Sequence, residues 1–320
     1  MTTPLCPVTG EPAARFVQWV DARFLASLWK MTAGANARPS FAGVARFGLW
    51  ESPTGLHFFD PPAEGDNEFY TGFYGRLLKR GLWRSDARRQ EFADAARRVR
   101  PGDRVLDVGC GFGNFRHSVP QARYTGLDPH FAGYAQSEDV RNEMLRDHLQ
   151  AHAGTYDAVC AFQVIEHVRE PLPLFAEMVQ AARPGGLVMV TVPHIPSAML
   201  RIPNFLMNAP PHHLTWWTPN ALAALAARSG ATVEAIDRVD WDEADSLIHW
   251  IERCSFIRCS KQYFRSSLLW HVAALTGYLG GRVLHRIRRV PCGRDEGSSL
   301  MLVARRPVRP AGSRGPAILP

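Results

Sequence analysis

"RVLDVGCGFGNF", residues 104–115, is a short apolar run that ends in glycine at every second position. Val105, Leu106 and Val108 read as the body of a buried strand. Gly109, Gly111 and Gly113 read as a turn where the backbone passes close to a ligand. The pattern predicts a helix soon after, with its free amides facing that ligand. The spacing is GxGxG. A dinucleotide-binding turn would place glycine at 114, where this chain has Asn114. A P-loop would add Gly-Lys-Ser/Thr, and that is missing too.

Two acids accompany the turn. Asp107 lies within the end of the strand, and Asp128 ends a second short strand, "ARYTGLD". A carboxylate in the second position can accept both hydroxyls of a ribose. No Lys or Arg lies inside the turn to hold a pyrophosphate. The residues suit a nucleoside with a cationic tail. The plainer alternative is an ordinary strand–turn–helix junction capped by Asp107.

Three further stretches extend the pattern: "YTGLDP" (124–129), "YDAVCAFQVIEHV" (156–168) and "ARPGGLVMVTVPH" (182–194). With the glycine turn they resemble, in order, the motifs of the class I S-adenosylmethionine-dependent methyltransferases. "FQVIEHV" and "PPHHLTWWTP" (210–219) are most similar to the small-molecule branch that includes ubiquinone-biosynthesis O-methyltransferases. The resemblance implies an α/β, Rossmann-like fold: a seven-stranded, mostly parallel sheet with helices on both faces, its ligand across the carboxyl ends of the first strands. It implies S-adenosyl-L-methionine as cofactor. Gly109, Cys110, Gly111 and Gly113 would approach the methionine part, with Asp107 near its ammonium. Asp128 would bind the ribose, with Pro129 beside it. Phe162 and Gln163 would line the pocket. Glu143 or Asp147 would reach the adenine.

For the chemistry, the resemblance points to the loops after the fourth and fifth strands. Methyl transfer to a hydroxyl needs a base. Glu166, His167 and His213 are the candidate catalytic residues. His194 and His212 lie in the same loops. The bland alternative is that Glu166 and His167 tie their loop together, and that His213 pins Trp216. Related quinone enzymes carry an acid before the Glu-His pair that helps hold a divalent metal. Gln163 stands there in this chain, and an amide is a poorer ligand for a hard cation. No metal is therefore expected.

Outside this core the texture changes. Residues 1–65 read as short strands and turns. They resemble a zinc-ribbon head in which only Cys6 is left, with Thr9, Glu51 and Thr54 at the other ligand positions. Residues 66–100 read as a helical connector. Residues 101–245 and 295–306 form the expected methyltransferase domain, and 307–320 an expected disordered tail. "TPNALAALAARSG" reads as a helix with Thr218 as N-cap, Pro219 at its first position and Gly230 past its end. "ATVEAIDRV" and "SSLMLVARR" read as the last two strands.

Residues 246–294 read as a basic helical insertion. The segment carries nine Arg and Lys against the single acid Glu252, in a chain whose net charge is +7. Leu268, Val272, Leu275, Leu279, Val283 and Ile287 recur within it at helical spacing. A basic, apolar helix of this kind suits peripheral contact with an anionic membrane. The alternative is a cap whose apolar stripe packs on the sheet.

The composition is that of a globular protein, with 46% hydrophobic and 21% charged residues. No secretory leader is read at the start, and the six cysteines form no CxxC pair. A cytoplasmic protein, peripheral to the inner face of the membrane, is expected. The functional expectation is methylation of a small-molecule or lipid-like acceptor, at oxygen. The alternatives are a cofactor-binding module without catalysis, and a protein or nucleic-acid methyltransferase. The last would carry an Asn/Asp-Pro-Pro-aromatic run where this chain has "FQVIEHV". No nucleic-acid partner is expected.

Overall fold

The structure, a computed structural model, describes residues 2–79, 89–129, 138–288 and 297–308. Its strands are β1 Arg15–Asp21, β2 Arg46–Glu51, β3 His57–Asp60, β4 Arg104–Val108, β5 Arg123–Leu127, β6 Val140–Arg141, β7 Tyr156–Phe162, β8 Ala182–Pro193, β9 Thr215–Trp216, β10 Thr232–Arg238 and β11 Ser299–Arg305. The α-helices are α1 Ala22–Leu28, α2 Asn67–Lys79, α3 Gln90–Ala96, α4 Leu145–His152, α5 Pro171–Ala181, α6 Ala198–Arg201, α7 Pro219–Arg228, α8 Glu243–Cys254 and α9 Leu268–Ile287.

The main sheet has seven strands in the order β10-β11-β8-β7-β4-β5-β6. β4 pairs in parallel with β5 on one side and with β7 on the other. The chain therefore reverses its winding direction at β4, and a crevice opens at the carboxyl end of that strand. Among the described strands only β11 runs against the direction of the sheet, pairing antiparallel with both β8 and β10. Both faces are covered. Leu106, Val159 and Val190 pack towards Met178 of α5 and Leu222 and Leu225 of α7. Val105, Ala158 and Met189 pack on the other face with Phe92 of α3. That alternation explains why these strands read as unbroken apolar runs.

α7 forms where its cap residues put it. Thr218 Oγ1 accepts from the Ala221 amide at 3.2 Å, Pro219 opens the helix, and Gly230 follows its end at φ 70°. The helix expected after the glycine turn is instead a five-residue 3₁₀ segment, Asn114–Ser118. Pro120 closes off the continuation, since it has no amide to donate and disfavours helix in the residue before it.

A second, antiparallel sheet has the order β1-β2-β3-β9. Three of its strands come from the N-terminal segment. The fourth, β9, belongs to "PPHHLTWWTP" and pairs His57 with Trp216. Trp29, Phe47, Phe59, Phe69 and Trp216 form the core of this part. Cys6 is buried. Thr9 and Thr54 hold local hydrogen bonds, and Glu51 pairs with Arg15. The tail beyond Val308, like most of the segment after α9, lies outside the described residues.

Candidate active site

The glycine turn leaves β4 at Gly109, which has φ 68°, a left-handed conformation that side chains resist. Its amide and that of Cys110 donate to the Leu127 carbonyl at 2.8 and 3.1 Å, fixing the turn to the end of β5. A Cβ on Gly109 would meet Val164 at 2.7 Å, whereas one on Gly111 would meet nothing within 4 Å. Gly109 thus serves packing, whereas the side of Gly111 is open among the described residues. Gly113, also at positive φ, packs against Val140 and Tyr124.

Asp128 follows β5, and its Oδ2 accepts from the Gly111 amide at 2.9 Å. The ribose candidate and the glycine turn are therefore one unit. Pro129 follows it, and residues 130–137 lie outside the described residues. Asp107 is buried and accepts from the Tyr124 hydroxyl at 2.7 Å. Burial pushes its carboxyl up to about 7, against the pull of Tyr124 and the Arg89 guanidinium. Burial, with the charges of Asp107 and Asp128, raises the Cys110 thiol far above its ordinary range, so it stays protonated.

The adenine candidates divide. Asp147 is exposed on α4. Glu143 instead faces His148 Nδ1 at 3.1 Å, and His148 Nε2 lies 2.6 Å from the Tyr156 hydroxyl. Phe162 is buried in an aromatic cluster, its ring centroid 4.9 Å from that of Phe92 and 4.7 Å from that of Phe115. Gln163 adopts φ 57°, rare for a residue with a side chain. Its amide nitrogen donates to Glu91 at 3.0 Å and to Ser299 at 3.1 Å. Held this way, it turns the chain sharply out of β7 into Glu166 and His167.

Glu166 is fully buried, and neither carboxylate oxygen has a hydrogen-bond partner among the other described residues. Burial pushes its carboxyl up to about 8. Its carbonyl accepts from the Leu214 amide at 2.8 Å, which joins the loops after β7 and β8. His167 Nδ1 lies 2.5 Å from the His212 carbonyl, and its Nε2 lies 3.9 Å from Glu166 Oε1. Burial lowers His167 to about 4. His212 and His213 are buried and stacked, with ring centroids 4.6 Å apart and planes at 16°. Burial and the neighbouring His167 push both well below the ordinary range. His213 does not pin Trp216, whose indole donates to the Asn208 carbonyl at 2.9 Å and stacks on His57. His194 is buried and lowered to about 4, chiefly by burial, and its amide bonds the Ser298 carbonyl.

Several site residues were not singled out from the sequence. Arg89, just before α3, pairs with Glu91, and its charge acts on both Asp107 and Glu166. It is one arginine of several in "RSDARRQEF", and nothing local marks it. Tyr70, Phe73 and Trp29 wall the His212 ring, with centroids 6.1, 5.1 and 6.2 Å away. Their spacing on α2 and just past the end of α1 carried only a packing signal.

A family model described as a methyltransferase domain matches residues 80–236. Ubiquinone biosynthesis O-methyltransferases from Escherichia coli (strain K12 / DH10B) and Shigella boydii serotype 18 are 34% identical over 97 residues. Those residues cover 27% of this chain and 40% of each relative, so the chain spans less than half the length of these curated relatives. Among solved structures, the [4+2]-cyclase SpnF is similar with a TM-score of 0.46 and 18% identity, over 78% of this chain and 98% of that one. A possible histamine N-methyltransferase from Thermotoga maritima has a TM-score of 0.45 and 14% identity, over 75% and 97%. The glycine turn, at the switch point of the sheet, lies inside the segment that matches a methyltransferase domain, and S-adenosylmethionine is the cofactor that goes with it.

Proposed function

We propose that the chain methylates a hydroxyl oxygen of a small, lipid-like molecule at an anionic membrane face. The observation that carries the oxygen chemistry is Glu166, a fully buried carboxylate with no hydrogen-bond partner among the other described residues, one loop away from the glycine turn. S-adenosylmethionine supplies a sulfonium-bound methyl group that a nucleophile displaces in line. Glu166 takes the acceptor proton as the oxygen's electron pair forms the new bond. His167 and His213 line the acceptor side. Tyr70, Phe73 and Trp29 shield it from bulk water, which would otherwise compete and weaken the local electrostatics.

The lipid-like character and the membrane rest on α9. Its stripe of Leu268, Val272, Leu275, Leu279, Val283 and Ile287 points away from the protein, with each residue between 41% and 81% exposed. The exposed Arg286 and Arg288 lie at its C-terminal end. The opposite face holds Trp270, Ala273, Gly277 and Gly281. A Cβ on Gly281 would meet the Ile251 backbone at 2.7 Å, so small residues let α8 and α9 pack closely. The stripe expected either to pack on the sheet or to meet a membrane does not pack on the sheet. Among the described residues no helix is long and apolar enough to cross a membrane.

The test is formation of S-adenosylhomocysteine and methylated product across a panel of hydroxylated aromatic and prenylated acceptors. Glu166→Gln should lower kcat on the order of 10²-fold or more while leaving S-adenosylmethionine affinity unchanged. Unimpaired turnover in that variant removes Glu166 as the base. Cofactor binding without turnover on any hydroxyl would leave a binding module.

A further inference from the structure

The geometry points to a divalent transition-metal site formed by His167, His212 and His213, with zinc the ion its donors favour. Each histidine offers one ring nitrogen, and these three atoms lie within 4.8 Å of one another. Nitrogens around a tetrahedral zinc sit about 3.4 Å apart, given bonds of about 2.1 Å. Closing the cluster therefore takes about an ångström of side-chain rotation.

Two independent features fit an ion there. First, His167 is oriented as a ligand. Its Nδ1 is engaged by the His212 carbonyl, so that nitrogen carries the proton and Nε2 is left with the lone pair. A backbone carbonyl on the second ring nitrogen is the common way of fixing a ligating imidazole. Second, His212 Nδ1 and His213 Nδ1 are buried with no hydrogen-bond partner among the described residues, on two of the three clustered rings. Buried polar atoms are normally paired, and a cation would satisfy this concentration of acceptors at once.

The donor set also tells which ion. Imidazole nitrogens suit zinc and its late neighbours, whereas magnesium takes oxygen ligands. Gln163 is no part of the site, since its amide is turned to Glu91 and Ser299. The expectation of no metal was drawn from that glutamine alone. The histidines that matter come from a different loop, joined to Glu166 and His167 through the Leu214 amide. Any role of the ion in holding the acceptor oxygen rests on the proposed methyl transfer. Its binding does not.

The experiment uses the full chain, purified without a polyhistidine tag. Elemental analysis should give about one zinc per chain. After the protein is stripped with a chelator, titration with Co²⁺ should produce the visible ligand-field bands of a low-coordinate nitrogen site. His213→Gln and His212→Ala should abolish both signals, while His194→Gln keeps them. Stripped wild-type protein that gives no such bands with Co²⁺ overturns the site, whatever the variants do. Zinc retained in a folded variant lacking His212 and His213 overturns it as well. S-adenosylmethionine affinity, measured by calorimetry on the stripped protein, separates this outcome from failure of the methyltransferase reading.

Discussion

At the scale of single residues, the site is a set of carboxylates that the fold has treated very differently. Asp128 accepts an amide from the turn it serves, Asp107 is tied to Tyr124, and the Glu166 carboxylate has no hydrogen-bond partner among the other described residues. Asp128→Ala should weaken S-adenosylmethionine binding by about 1.5–3 kcal/mol, the range for a hydrogen bond to a charged group. Asp128→Asn keeps an acceptor for the Gly111 amide and should fall between. Calorimetry showing equal affinity in all three proteins would remove Asp128 from the ribose site. The position of Asp128 was legible because an acid at the end of a short apolar strand, after a glycine turn, has few other uses. The direction of Gln163 was not, because it depends on a left-handed backbone that a glutamine does not announce. Arg89 was not either. Its role exists only because a distant segment brings it beside Asp107.

At the scale of elements, local signals and periodicity did different amounts of work. The cap residues of α7 located both its ends, because capping is a contact between neighbours in sequence. The apolar period of α9 identified a helix but not the side it buries. Gly277, Gly280 and Gly281 face α8 and Trp270 is buried, while the aliphatic stripe faces out. Close helix packing favours small residues, so here the stripe with the greater apolar area was left outside. At about 1.5 Å per residue, α9 presents an apolar edge about 30 Å long. The protein should sediment with phosphatidylglycerol vesicles at low salt and be released by high salt. Each arginine near such a surface contributes about 1 kcal/mol, so replacing Arg282, Arg286 and Arg288 with glutamine should cost about 100-fold in partitioning. Protein that stays in the supernatant with anionic and neutral vesicles alike leaves α9 without a membrane.

At the scale of the whole molecule, the N-terminal segment and the acceptor loop are built as one body. The residues read as a separate head lend three strands to a sheet whose fourth, β9, comes just after His212 and His213. Such long-range pairing leaves no mark at either end of the sequence. Further bonds follow the same seam: Phe59 N to the Leu214 carbonyl at 3.0 Å, and Gly65 N to the Pro211 carbonyl at 3.0 Å. Trp29 is central to it. It is fully buried, donates to the Pro210 carbonyl at 2.7 Å and lies edge-on to His212. Trp29→Phe keeps an aromatic ring there but leaves that carbonyl buried and unpaired, which costs about 1–3 kcal/mol. The loss should appear in urea denaturation as a lower midpoint with an unchanged slope. Because the strain falls on the histidine loop and not on the glycine turn, acceptor KM should rise while S-adenosylmethionine affinity stays as it was. An equal loss of affinity for both ligands would mean that the N-terminal segment supports the whole domain and has no particular hold on the acceptor side.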